Sequence, residues 1–159
     1  DNGSTISNTT DHEVLPVCTV LVEADGTLDS PAFSVTALPG DEIVLPYTIT
    51  NLGNASFSFD VNALMLVTAS TLETAGVVSL VIMDVNGNGQ RDPEDAPVSN
   101  LELAPGSSAD ILLVIALPDD PSLAGDLFVN PLAACPDDGN QDDDNVSLVS
   151  VPEGGITEP

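Results

Sequence analysis

The chain has 159 residues, 42% of them hydrophobic, which suits one domain with a real core. Twenty-six acidic side chains stand against a single basic one, Arg91, for a formal charge of -25. That charge makes nucleic acid and anionic membranes poor partners and favours a cation-rich, extracellular setting, the competing reading being a generally acidic proteome.

No apolar run reaches the length of a membrane span. The chain opens on Asp1 without an apolar signal segment, as a processed or trimmed chain would. The apolar set is Val, Leu, Ile and Ala with few aromatics, punctuated by 13 Pro and 12 Gly, a pattern of many short strands.

In chain order, residues 1–16 read as a polar, partly extended arm with few core candidates. "VCTVLVEA" (17–24) and "AFSVTAL" (32–38) read as strands. "PGD" at 39–41 is a turn, because Pro presets φ and Gly supplies positive φ. "EIVLPYTITN" (42–51) is a strand, and Pro46 within it predicts an edge position or a bulge. "ASFSFDVNAL" (55–64) alternates, with Phe57, Phe59 and Val61 on one face. Residues 66–76 are ambiguous between a loop and a short helical turn.

"VVSLVIMD" (77–84) is a buried strand that runs into a polar stretch. "VSNLELA" (98–104), "DILLVIALP" (110–118) and "DLFVNPLAAC" (126–135) follow as strands. "PDDGNQDDDN" (136–145) is an acidic loop, a solvated run or a weaker ion site. "VSLVSV" (146–151) is the last strand, and 152–159 a mobile tail. Turn signals every eight to twelve residues predict an all-β, immunoglobulin-like sandwich of about seven to nine strands over 17–151, with extended termini.

The stretch after the buried strand, "DVNGNGQRDPED" (84–95), carries three Asp, two Asn, two Gly and a Glu. With Asp84 as loop position one, Asn86, Asn88, Asp92 and Asp95 fall at positions three, five, nine and twelve. Gly89 falls at six, and Gln90 offers its backbone carbonyl at seven. This is the oxygen-ligand spacing of a calcium loop of the EF-hand or dockerin kind. Ca²⁺ takes six to eight oxygens at loose geometry, so one short loop can wrap it if alternate side chains point inward. Asp95 has a shorter reach than the usual Glu. The donor set suits Ca²⁺ and not a transition metal, which would want His or Cys. The competing reading is a hairpin with two Asn-Gly turns. No EF-hand helices flank the loop, so a bound ion would staple strands.

Cys18 and Cys135 match no metal motif. Paired, they close a long loop worth about 4–5 kcal/mol in the chain-entropy model; the alternative is two buried thiols. Sequons begin at Asn2, Asn8, Asn54 and Asn145, a hint of a glycosylated surface.

Several pieces together resemble the immunoglobulin-like conserved-repeat domains of bacterial and archaeal surface proteins. "LPGDEIVLPYTITNLGNASFSFDV" is similar to their Pro-Gly-Asp turn, Tyr-Thr-Ile-Thr strand and Asn-x-Gly-Asn turn. "MDVNGNGQRDPED" resembles the calcium loop inserted in such domains, and "LELAPGSSADILLVIALP" their Pro-Gly-Ser strand pair. The resemblance covers roughly residues 33 to 118 and implies a sandwich with a structural, extracellular role. It names no ligand.

The residues give little support to an enzyme. The one His, His12, lies in the polar arm, there is no Lys, and no Ser sits in a nucleophile elbow. Sugar clefts want aromatic platforms, and the chain has four Phe, one Tyr and no Trp. Phe33, Phe57, Phe59 and Phe128 read as core, and Tyr47 as a strand residue with a wet hydroxyl. Two function classes remain. One is a self-assembling structural subunit of a surface filament, surface layer or biofilm matrix. In it the arm or strand 146–151 would complete a neighbour's sheet. The other is a calcium-dependent adhesive or ligand-binding module.

Overall fold

The computed structural model describes residues 15–67, 76–136, 141, 142 and 144–152. Asn2, Asn8, His12, nearly all of the polar arm, most of the ambiguous segment 66–76, part of the acidic run and the tail beyond 152 lie outside the described residues.

Among the described residues all regular structure is β. The strands are β1 (Val20–Glu23), β2 (Ser34–Thr36), β3 (Glu42–Asn51), β4 (Phe57–Val67), β5 (Val78–Met83), β6 (Asn100–Leu103), β7 (Ser108–Ala116), β8 (Gly125–Ala134), β9 (Gln141–Asp142) and β10 (Ser147–Val151). One sheet has the order β1-β3-β7-β5; the other has β2-β10-β8-β4-β6, with β9 beside β8. Every pairing is antiparallel except β10 with β2. Odd-numbered strands from β1 to β7 thus face even-numbered ones, and the chain crosses between layers repeatedly.

The period-2 alternation of each strand sends one set of side chains into the gap between sheets. Ile43, Leu45, Tyr47 and Ile49 of β3, and Ile111, Leu113 and Ile115 of β7, meet Phe59, Val61, Leu127, Val129 and Val149 from the other sheet. The two Pro-Gly turns close as expected: Asp41 N donates to Leu38 O and Ser107 N to Ala104 O, with positive φ at Gly40 and Gly106.

The sandwich stands as expected, with ten strands among the described residues, the two-residue β9 lying in the acidic run. Several expectations are corrected. Pro46 lies on β3, an interior strand, but β1 covers only residues 48–51 of it. Leu117 N donates to Asp41 O, and alternation from that bond aims the Pro46 nitrogen away from β7. Its missing N–H therefore costs no ladder bond. Tyr47 is buried, not wet. Phe128 points to the outer face of its sheet, against Leu28, Leu64 and Val146. Strand 146–151 is paired on both sides as β10, so it offers no free edge to a neighbour.

Candidate metal centre

The loop from Asp84 leaves the C-terminal end of β5, an edge strand, where Asp84 N donates to Asp110 O of β7. Asp84 is buried, and its carboxylate organises the loop: Oδ1 accepts from Asn88 N (3.3 Å) and Oδ2 from Gly89 N (2.8 Å). Positive φ at Gly87 and Gly89 lets the backbone curl around that carboxylate. Asn86 Oδ1 accepts from Asn88 N and Asn88 Oδ1 from Gln90 N, two successive Asx turns. These turns place the side chains of positions one, three and five on the inside of one bend, as the spacing requires.

The second half closes on the first. Asn86 Nδ2 (2.9 Å) and Asn88 Nδ2 (2.7 Å) both donate to Asp92 Oδ2. Asp95 is a bracket: Oδ1 accepts from Val85 N (3.0 Å) and Oδ2 from Asp92 N (2.8 Å). The structure thus brings Asp84, Asn86, Asn88, Asp92 and Asp95 into one loop, with Gln90 on its turn. Sequence reasoning missed Glu94, whose Oε2 accepts from Asn86 Nδ2 at 3.1 Å and so lies beside the Asp92 carboxylate. It also missed Asp110. A Cβ added at Gly87 would come within 3.1 Å of Asp110 Oδ2, so that carboxylate lines the entrance to the loop. The fixed register at position twelve drew attention to Asp95 and away from the neighbouring Glu94.

The donors are carboxylate and amide oxygens, which fit a hard cation of the calcium type. Among the described residues, no three His, Cys, Asp or Glu side chains gather closely enough to hold a metal by themselves. A cation here would rely on the Asn oxygens and the Gln90 carbonyl as well as the acids. The two Asn amides donate to Asp92, a role that a cation could share.

Two further tie points hold the sandwich together. Cys18, just before β1, and Cys135, just after β8, form a disulfide with Cα atoms 6.0 Å apart and a sequence separation of 117. It joins the two sheets covalently. Asn51 binds the β3–β4 and β6–β7 connections together: its Nδ2 donates to Ala55 O and Leu103 O, and Gly53 N donates to its Oδ1. Of the sequon residues, Asn54 is exposed, although its amide holds Leu15 O and Val17 N. Asn145 is corrected as a glycan acceptor. It is fully buried, and Nδ2 faces Pro131 O, Asp142 O and Asp142 Oδ1, so the folded chain leaves no room for a sugar there. Within the acidic run, Asp142 has a structural role, with Oδ2 accepting from Val22 N on the edge of β1.

The sheets, core and connections define an immunoglobulin-like β-sandwich. No family model and no curated protein matches the sequence. Solved structures do resemble the fold. One is a family 123 glycoside hydrolase from Clostridium perfringens, at 9% identity and a TM-score of 0.52 over 84% of this chain; the chain spans 27% of that enzyme's length. Another is PapD-like domain 7 of human CEP192, at 13% identity and a TM-score of 0.43 over 94% of this chain and 97% of that one. At these identities the likeness concerns the fold alone.

Proposed function

We propose that the chain is a non-enzymatic, extracellular structural protein, a subunit of a filament, surface layer or matrix that is stapled by its disulfide and by Ca²⁺ in loop 84–95. The disulfide supports an oxidising compartment, and the oxygen donors of the loop support calcium. The observation that carries assembly is the outer edge of β5. Near its C-terminal end this edge is covered: Met83 N donates to Ala96 O, and Val98 N to Val81 O. Among the described residues nothing pairs with the outer edge of residues 78–80. A cleft of about 260 Å³, lined by Val61, Ala63, Ser79, Leu80, Val81 and Val98, runs beside it. An edge that no described residue pairs, beside a cleft with partly apolar walls, is a place where an added strand gains both ladder hydrogen bonds and burial.

The second reading, a calcium-dependent adhesive module, draws on a different cleft of about 490 Å³, bordered by Asp84, Asn86, Ser108 and Asp110. Light scattering and negative-stain imaging of the full chain, in millimolar calcium and in chelator, separate the two. Ordered particles in calcium, lost when residues 1–14 are removed or when β5 is blocked by Ser79→Pro, support the structural reading. A chain that stays monomeric across calcium and salt rejects it in favour of the adhesive module.

A further inference from the structure

The four-stranded sheet buries apolar side chains on its outer side as well as its inner one. Ile82, Leu112 and Val114 are 1%, 0% and 3% exposed, and they form a cluster separate from the main core, with Val44 and Leu80 packed against it. An outer sheet face becomes this dry only under a cover.

The loop marks out a path over it. At one end Gly87 lies against the outward-facing Asp110. At the other, Arg91 forms an ion pair with Glu42, an outward-facing residue at the far end of β3. Glu42 is level with Ala116, and Asp110 is level with Thr48. The loop is thus fastened to this face at both levels, on either side of the rows that hold Leu112 and Val114. The segment then returns along β5 through the Ile82–Pro97 bridge.

We infer that loop 84–95 is a cation-locked cover for this outer apolar face, and that losing the cation uncovers Ile82, Leu112 and Val114. The inference rests on the calcium reading above. The chemistry lies in how the cover is fastened. Its bend is held by backbone N–H groups on the Asp84 and Asp95 carboxylates and by Asn amides on Asp92. Asp92 and Glu94 lie side by side against Asn86, with Asp110 at the entrance. Without a cation the neighbouring Asp92 and Glu94 charges repel. Among the described residues, the fastening at the far end is the exposed Arg91–Glu42 pair, which is weak and screened by salt.

The test uses the full chain with calcium titration calorimetry, fluorescence of an apolar dye and amide hydrogen exchange, each in millimolar calcium and in EDTA. The expected result is measurable calcium binding and a several-fold rise in dye fluorescence in EDTA. Exchange should accelerate at the amides of Val85, Asn88, Gly89 and Asp92, while β3 and β7 keep their protection. Arg91→Gln releases the far end alone: calcium affinity should change by less than about fivefold, with dye binding raised even in calcium. Calcium binding without a dye response overturns the cover and leaves the calcium reading standing. Loss of protection throughout β3 and β7 also overturns it, because the ion would then hold the whole fold and not a cover. An absence of calcium binding rejects both.

Discussion

Tyr47 in the four-stranded sheet and Ser147 in the six-stranded sheet meet hydroxyl to hydroxyl in the buried gap between the layers. Tyr47 Oη donates onward to Asn145 O at 3.2 Å, so Ser147 supplies the hydrogen between the two hydroxyls, while Ser147 Oγ accepts from Phe33 N. The Phe33 ring stands edge-on to Tyr47, with centroids 5.5 Å apart. This small polar network fixes how the sheets register on one another. Tyr47→Phe should cost about 1–2 kcal/mol, because it strands the Asn145 carbonyl and removes a partner from Ser147. Urea denaturation measures it.

The same residue gives the fold an alkaline limit. Burial holds the Tyr47 hydroxyl above its ordinary pKa of 10.0, against a smaller opposing pull from the Ser147 hydrogen bond. The unfolded chain gives up this proton first. The stability tied to the protonated hydroxyl is therefore complete below pH 10.0 and declines as pH rises from there through the folded value. Tyr47 is the one tyrosine, so tyrosinate absorbance follows it directly. Tyr47→Phe should abolish the decline measured by melting between neutral and alkaline pH.

The disulfide should contribute about 4–5 kcal/mol, given the length of chain it encloses. Replacing Cys18 and Cys135 together by Ser should lower the denaturation midpoint accordingly. The intact mass under non-reducing conditions should be two hydrogens below that of the reduced chain. Two freely alkylated thiols in the native protein would contradict the bridge.

Glu94 and Asp95 should separate ion binding from loop closure. Glu94→Gln removes a carboxylate next to Asp92 and should weaken calcium about tenfold, with little change of stability in chelator. Asp95→Ala removes the bracket on the Val85 and Asp92 N–H groups and should cost about 1–3 kcal/mol in chelator as well. Calorimetry and melting of both variants decide it. Equal effects on affinity and on chelator stability would show that the two side chains share one role.

Asn145 should carry no glycan even in a glycosylating host, which glycopeptide mapping reads. Asn145→Asp would aim a carboxylate at three acceptors, one of them the Asp142 carboxylate. It should cost about 3–5 kcal/mol in melting experiments.

The strands were readable because alternation and Pro-Gly turns are local signals. β3 falls on the ten residues expected of it, and β5, β7 and β8 within two residues of theirs. What the chain does across space was not readable. Tyr47 and Ser147 are 100 residues apart, so nothing local marks the hydroxyl as buried. Asn145 belongs to a sequon by spacing and to the interior by topology. Pro46 reads as an edge residue, yet it is placed by where β1 happens to stop. In the loop, the twelve-residue spacing pointed to the right segment. The side chains that Glu94 and Asp110 bring to it depend on how the loop lies back on the sheet.

The position of the Cys18–Cys135 bond sets how the molecule can lengthen under tension. Strands β1 to β8 lie inside the covalent loop, and only β9 and β10 lie outside it. A pull between the two described ends would run through the bond and leave the enclosed strands unloaded. On the C-terminal side residues 136–152 could pay out, roughly 60 Å when fully extended, as β10 is drawn from between β2 and β8. Beyond that point the chain is inextensible until the bond is reduced, so the domain would behave as a short tether with a hard stop.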